Sequence, residues 1–176
     1  SLKEASESQQ ILVVDVGGGT TDFTLIQVDW RTEDGESLPE VKRIAIGDHI
    51  LLGGDNMDLA LAHLAEARIS GQRGALDAPR MSALVQSCRQ AKEVLLAEDA
   101  PETFRVAIPG RGTKLIGGAQ SCELSHAEVE AIVLDGFAPR VGVTDRPQRS
   151  GRSALSAWGL PYASDPGITR HIAAFL

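Results

Sequence analysis

Apolar and polar positions alternate unevenly along the chain and divide it into a run of strands followed by helices. The stretch Ile11-Leu12-Val13-Val14-Asp15-Val16 is nearly continuous in apolar, β-branched residues, the pattern of a strand buried on both faces. Gly17-Gly18-Gly19-Thr20 breaks it as a turn, and residues 22–28 return as a second strand with partial alternation. Residues 30–38 are polar and read as a loop, and 40–46 alternate as a third strand. Three strands with no helix between them predict an antiparallel meander.

Helical spacing follows. Met57, Leu61 and Leu64 recur on one face of a helix predicted over 56–69, and 71–79 form a connector. Leu84, Cys88, Ala91 and Leu95 share a face of a second helix over 80–97. Residues 104–108 and 114–118 flank Pro109-Gly110-Arg111-Gly112-Thr113 and predict a β-hairpin. Ser125 with Glu128 three positions on forms a capping box for a helix reaching about Leu134. Residues 138–161 carry Pro, Gly, Arg and Ser without a period. Asp165-Pro166 predicts a terminal helix with Asp as cap and Pro at its first position.

The 176 residues, 43% of them hydrophobic, suffice for one compact domain or two small lobes. Aromatics are scarce, so the core falls to Leu, Val, Ile and Ala. No apolar stretch reaches membrane-span length, and nothing at the start resembles a signal peptide. Residues 1–10 are a polar leader expected to be disordered, and Ser1 in place of an initiating Met points to a processed product or an excised piece. The net charge of −7 argues against a nucleic-acid surface. Arg140, Arg146, Arg149 and Arg152 sit in a Pro/Gly/Ser-rich stretch that reads as a solvated connector, with an RNA-binding loop as the alternative. Cys88 and Cys122 make neither a disulfide framework nor a metal cluster and read as small core residues of a cytosolic protein. The four histidines show no ligand spacing.

The chemistry concentrates in Asp15-Val16-Gly17-Gly18-Gly19-Thr20-Thr21-Asp22. Three successive glycines between apolar strands cost strand stability, which calls for a purpose other than folding. A turn without side chains exposes consecutive N–H groups that can cradle a phosphate, and the Thr20 hydroxyl adds a donor. Asp15 and Asp22 would repel a bare phosphate. They make sense if Mg²⁺ lies between them and a nucleotide, held through its water shell, and one of them could orient the attacking water. No Gly-Lys-Ser/Thr follows and the next element is a strand, which excludes a P-loop and a dinucleotide fingerprint. The plain alternative is a Gly-rich turn with two solvated aspartates.

These residues resemble the second phosphate motif of the actin-like ATPase superfamily. The stretch from Gly47 through Gly53-Gly54-Asp55-Asn56-Met57-Asp58 is similar to the segment of DnaK-type chaperones that crosses from the nucleotide-binding base into the upper lobe. Cys88-Arg89-Gln90-Ala91-Lys92-Glu93-Val94-Leu95 resembles their adenosine-side helix, and Ser125-His126-Ala127-Glu128-Val129-Glu130 their return helix. Order and spacing fit over residues 11 to about 135, and the chain is identified as a divergent bacterial-type member of the heat-shock protein 70 (DnaK) family.

The resemblance implies an α/β, partial actin-like ATPase fold corresponding to the second half of the ATPase domain. Its base lobe would take 11–52, its upper lobe 53–124, and the chain would return to the base over 125–176 with a divergent loop at 138–161. It implies ATP/ADP and Mg²⁺ as cofactors of the complete domain. Asp15 and Asp22 would manage metal and water, and Gly17, Gly18, Gly19 and Thr20 would hold phosphate. Gly53, Gly54 and Asp55 would close on the phosphates, and Lys92 would reach the ribose. Implied partners are the missing half of the ATPase domain, a J-domain cochaperone and a nucleotide exchange factor, with no nucleic acid and no membrane, in the cytoplasm. The fragment alone is expected to be inactive.

The chain departs from the family on the adenosine-side helix. Arg89 stands where an acid is usual, Glu93 where a base is usual and Leu96 where a small hydroxyl is usual. An i,i+4 surface ion pair accounts for Arg89 and Glu93 equally well. The Gly-Gly adenosine motif near the domain's end is absent. Alternative readings are an actin-like filament or division protein and an interaction module that has lost catalysis; a sugar kinase finds no sugar pocket in the sequence.

Overall fold

Strand pairing organises the first quarter of the chain. The structure, a computed structural model, describes residues 8–33, 36–110, 119–148 and 165–176. Strands β1 (Ser8–Val16), β2 (Thr21–Glu33) and β3 (Glu36–Ile46) form an antiparallel sheet in the order β1-β2-β3. The expected meander is present, but its strands are longer than the apolar pattern suggested. Within the expected loop 30–38, the described residues 30–33 and 36–38 are strand: Trp30 pairs with Pro39, Arg31 with Leu38 and Thr32 with Ser37. Arg31 bridges across to Glu40 at 2.5 Å and Lys42 across to Asp29 at 3.9 Å, so cross-strand charge pairing replaces apolar alternation there. Pro39 is tolerated because β3 is an edge strand. Residues 8–10, within the expected leader, pair with Asp29, Val28 and Gln27. Residues 1–7 lie outside the described residues.

The strict alternation expected over 40–46 is interrupted. Leu25 pairs with Ala45 and Ile26 with Arg43, so Ile44 is an extra residue that bulges the strand. The expectation that β1 is buried on both faces also does not hold: Ile11, Val13, Val14 and Val16 are exposed. They lie on an edge strand that pairs, among the described strands, with β2 alone.

Helices α1 (Gly54–Ser70) and α2 (Ala78–Leu95) follow. Asp77 caps α2 by accepting the Arg80 N–H at 3.0 Å, and Gly71 ends α1 at φ 75°, a left-handed conformation suited to glycine. Strands β4 (Thr103–Ile108) and β5 (Gln120–Ser125) pair antiparallel. The described return strand of this hairpin is thus 120–125, while the expected 114–118 lies outside the described residues. The predicted face of α2 (Leu84, Cys88, Ala91 and Leu95) is fully buried against Leu61, Ala62 and Ala65 of α1 and Val106, Ile108 and Leu124 of the second sheet.

Helix α3 (His126–Glu130) begins at the predicted capping box. Ser125 Oγ accepts the Glu128 N–H, and the Glu128 carboxylate accepts the Ser125 N–H at 2.9 Å. It continues as a π-helical turn, Ala131–Asp135, which the sequence pattern did not indicate. Val133 from this turn joins the first core, and Phe137 just beyond it joins a second core with Phe23, Ile50, Leu52, Ala60 and Ile168. Met57 and Ile132 pack against both cores.

Helix α4 (Ile168–Phe175) starts two residues later than predicted, with Gly167 rather than Asp165 as its N-cap. The buried Asp165 carboxylate is taken by the N–H groups of Gly167 and Gln148 (2.8 and 2.7 Å) and by the Arg170 guanidinium. Burial alone would raise its pKa; Arg170 and the two N–H groups outweigh that and hold it low. Among the described residues no helix is long and apolar enough to cross a membrane.

Candidate functional site

The glycine turn is held from below by the start of α1. Pairing of β1 with β2 runs out to Asp15↔Asp22 and Val16↔Thr21, and the Gly17 N–H closes the turn on the Thr20 carbonyl at 2.8 Å. Thr21 is fully buried. Its backbone exchanges two hydrogen bonds with Ile50, at 2.9 and 3.1 Å, and its hydroxyl donates to the Leu52 carbonyl at 2.7 Å. These bonds lace segment 50–52 to the first residue of β2.

The chain then enters α1 directly beneath the turn. The Gly54 and Asp55 N–H groups, orphans of a helix N-terminus, donate to the carbonyls of Gly17 and Gly18 at 3.0 and 2.7 Å. The Gly53 N–H is taken by Asn56 Oδ1 at 2.8 Å. A Cβ on Gly53 would lie 2.5 Å from both turn carbonyls, and one on Gly18 would lie 3.3 Å from the Asp55 carboxylate. Gly17, Gly18, Gly53, Gly54 and Asp55 therefore form one backbone-packed unit. The turn's Gly17 and Gly18 carbonyls are consumed within this unit. The N–H groups of Gly18, Gly19 and Thr20 have no acceptor among the described residues.

Asp15 and Asp22 face each other across the ladder on the face opposite buried Thr21 and Phe23. Like charges directly opposite destabilise a sheet. No Lys or Arg among the described residues pairs with either carboxylate. Asp22 does have a partner that sequence reasoning missed: His49 Nδ1 lies 2.7 Å from Asp22 Oδ1. The two are 27 positions apart and no spacing signal joins them; the Thr21–Ile50 bridge does.

Lys92 is not free. Its Nζ lies 2.6 Å from Asp58 Oδ1 and 3.4 Å from the Gly54 carbonyl, and the side chain is 15% exposed. It ties α2 to the first turn of α1, beside the glycine unit. Asp58, 2% exposed, is a second residue the sequence reading missed. Its signal was available, because Asp58, Leu61, Ala62 and Ala65 share one helical face. Arg89 sits 3.5 Å from Glu93 and 4.0 Å from Asp58, so the i,i+4 ion pair is present. Leu96, the C-cap of α2, is partly exposed.

Other titratable groups serve packing. Burial pushes the Cys88 thiol up to about 12 and raises that of Cys122, so neither is an activated nucleophile. Burial also acts to raise the Glu66 carboxyl, but the N–H groups of Gly74 and Leu76, with His63, outweigh it and hold the pKa low. Glu66 thereby pins the connector between α1 and α2.

The family model for Hsp70 protein matches residues 1–143. The chain is 32% identical over 131 residues to "Chaperone protein DnaK 3" of Synechococcus sp., and 31% identical over 131 residues to "Chaperone protein dnaK1" of Synechococcus elongatus. Each match covers 73% of this chain and 18% of the relative. The chain thus spans about a fifth of the length of the curated relatives it matches.

Proposed function

Because the chain belongs to the Hsp70 protein family, we propose that its glycine turn holds the phosphates of Mg-ATP in the full-length protein, as part of a chaperone ATPase. The fold is mixed α/β, that of part of an actin-like ATPase domain. One observation carries the proposal. The turn's Gly17 and Gly18 carbonyls are locked by α1 while the N–H groups of Gly18, Gly19 and Thr20 remain without protein acceptors, beside two opposed carboxylates. Consecutive free amides suit a phosphate oxygen, and Thr20 adds a hydroxyl.

The donor set also fits hydrated magnesium. No group of three or more His, Cys, Asp or Glu side chains among the described residues could hold a metal ion directly. Two carboxylates, Asp15 and Asp22, are what magnesium uses when it keeps most of its water and shares phosphate oxygens. When bound, the ion supplies charge neutralisation at the phosphates and polarises water. Asp15 and Asp22 would accept hydrogen bonds from that water, and one of them would orient the attacking molecule. Gly53 and Gly54 bring the start of α1, with Asp55, against the same turn.

The exposed apolar residues of β1 support a further part of this reading: the rest of the protein's own ATPase domain covers them and supplies the opposite side of the cleft. Transition-state stabilisation needs donors from both sides, so this chain alone would turn over little ATP. A J-domain cochaperone, a nucleotide exchange factor and a cytoplasmic location belong to the same proposal for the full-length protein.

A second reading, an interaction module without turnover, draws on α2. Lys92 is engaged by Asp58 and Arg89 by Glu93, so the family's adenosine contacts are not free here. Calorimetric titration of ATP and ADP into the full-length protein, with magnesium and with chelator, tests the main reading. Magnesium-dependent binding is expected. No binding, or binding indifferent to magnesium, would contradict it.

A further inference from the structure

Asp15 and Asp22 are equivalent in the sequence motif but not in the structure. Asp22 Oδ1 lies 2.7 Å from His49 Nδ1, whereas Asp15 has no side-chain partner among the described residues. A carboxylate oxygen accepts, so this contact uses the imidazole with its proton on Nδ1. Both side chains are about half exposed, so the contact owes little to burial.

What fixes it is the backbone on either side of His49. The Gly47 N–H donates to the Phe23 carbonyl at 2.9 Å, and the Gly47 Cα packs so closely on the Phe23 and Phe175 side chains that a Cβ would meet them at 3.1–3.2 Å. Immediately after His49, Ile50 exchanges its pair of hydrogen bonds with Thr21. Residues 47–50 are thereby clamped along the start of β2, and the imidazole reaches Asp22.

We propose that His49 is a positioning residue of the phosphate site: its Nδ1–H holds Asp22 Oδ1 against the repulsion of Asp15 opposite, so that Oδ2 is the oxygen presented to the ligand. The inference rests on the phosphate-site reading above. It assigns unequal roles to the two aspartates, with Asp22 oriented by the protein and Asp15 oriented only by what binds.

The test uses the full-length protein with His49→Ala, His49→Asn, Asp22→Asn, the double variant Asp22→Asn/His49→Ala, and Asp15→Asn. Losing a partner that orients a metal-site carboxylate typically costs about 10-fold or more. His49→Ala is therefore expected to lower kcat by about that factor with KM for ATP nearly unchanged. His49→Asn, which keeps a short donor, should recover most of the loss. In the Asp22→Asn background, His49→Ala should add almost nothing, because the residue acts through Asp22. Nitrogen-15 NMR of nucleotide-free protein labelled at histidine, with the His49 signal assigned by its loss in His49→Asn, supplies a readout without turnover. The Nδ1–H tautomer is expected in wild type and its loss in Asp22→Asn.

Full activity in His49→Ala beside a collapsed Asp15→Asn would overturn the role of His49 and leave the phosphate site standing. So would equal losses in His49→Ala and His49→Asn, additive losses with Asp22→Asn, or an Nε2–H tautomer in wild type. Unchanged turnover in both His49→Ala and Asp15→Asn would overturn the phosphate-site reading along with the inference.

Discussion

Gly53 abuts Gly17 so closely that no side chain fits between them: a Cβ on Gly53 would stand 2.5 Å from the Gly17 carbonyl oxygen. Gly53 has an extended φ of −171°, so the requirement for glycine here is contact rather than backbone strain. Gly53→Ala must push α1 off the turn, at a cost of roughly 1–3 kcal/mol as for other overpacked sites. Urea unfolding of the variant is expected to show a lowered midpoint. An unchanged midpoint would mean that the turn and helix are not locked together.

Lys92 answers the buried Asp58 carboxylate from the neighbouring helix. Removing the ammonium strands that charge, with Arg89 at 4.0 Å the one other cation beside it among the described residues. Lys92→Met is expected to cost about 3 kcal/mol, the scale for breaking a buried pair from one side. Adding Asp58→Asn should regain a large part of this by removing the stranded charge. Thermal unfolding of the single and double variants measures both steps.

Glu128 joins three elements, accepting from Arg68 of α1 while capping α3 through Ser125; Arg68 also donates to the Glu123 carbonyl of β5 at 2.8 Å. The Arg68 guanidinium holds the Glu128 carboxyl at about 2, below its ordinary value of 4.5, with the Ser125 cap adding to the shift and partial burial opposing it. A depressed folded-state pKa contributes stability that is fully present above about 4.5 and is lost as pH falls toward 2. Glu128→Gln should therefore unfold more easily than wild type at neutral pH, with the difference shrinking below pH 4.5. Unfolding midpoints across that range check the sign; a gap that widens in acid would refute the assignment.

Helical faces and caps were legible in the sequence because they depend on local spacing. Leu84, Cys88, Ala91 and Leu95 repeat at three to four residues and are buried as a set, and Ser125 with Glu128 closes the box its spacing implied. The glycine turn was legible because three glycines have no local justification. Features that depend on remote partners were not. β1 reads as a strand buried on both faces, yet its Ile11, Val13, Val14 and Val16 are exposed. Residues 30–33 and 36–38 lack alternation yet pair as strands, with the cross-strand charges of Arg31 and Glu40 beside them. Asp165 resembles a helix cap but is claimed by Gln148, Gly167 and Arg170, which shifts the helix start. His49 reaches Asp22 only through the bridge at Thr21 and Ile50.

The central claim is that the turn between Asp15 and Asp22 is the phosphate end of a working ATPase site. The most direct measurement is magnesium-dependent ATP hydrolysis by the full-length protein, wild type beside Asp15→Asn, with circular dichroism to confirm that both are folded. Asp15→Asn removes one charge at an exposed position, so the fold should persist while turnover falls by about tenfold or more. Equal turnover in a folded Asp15→Asn protein would contradict the claim.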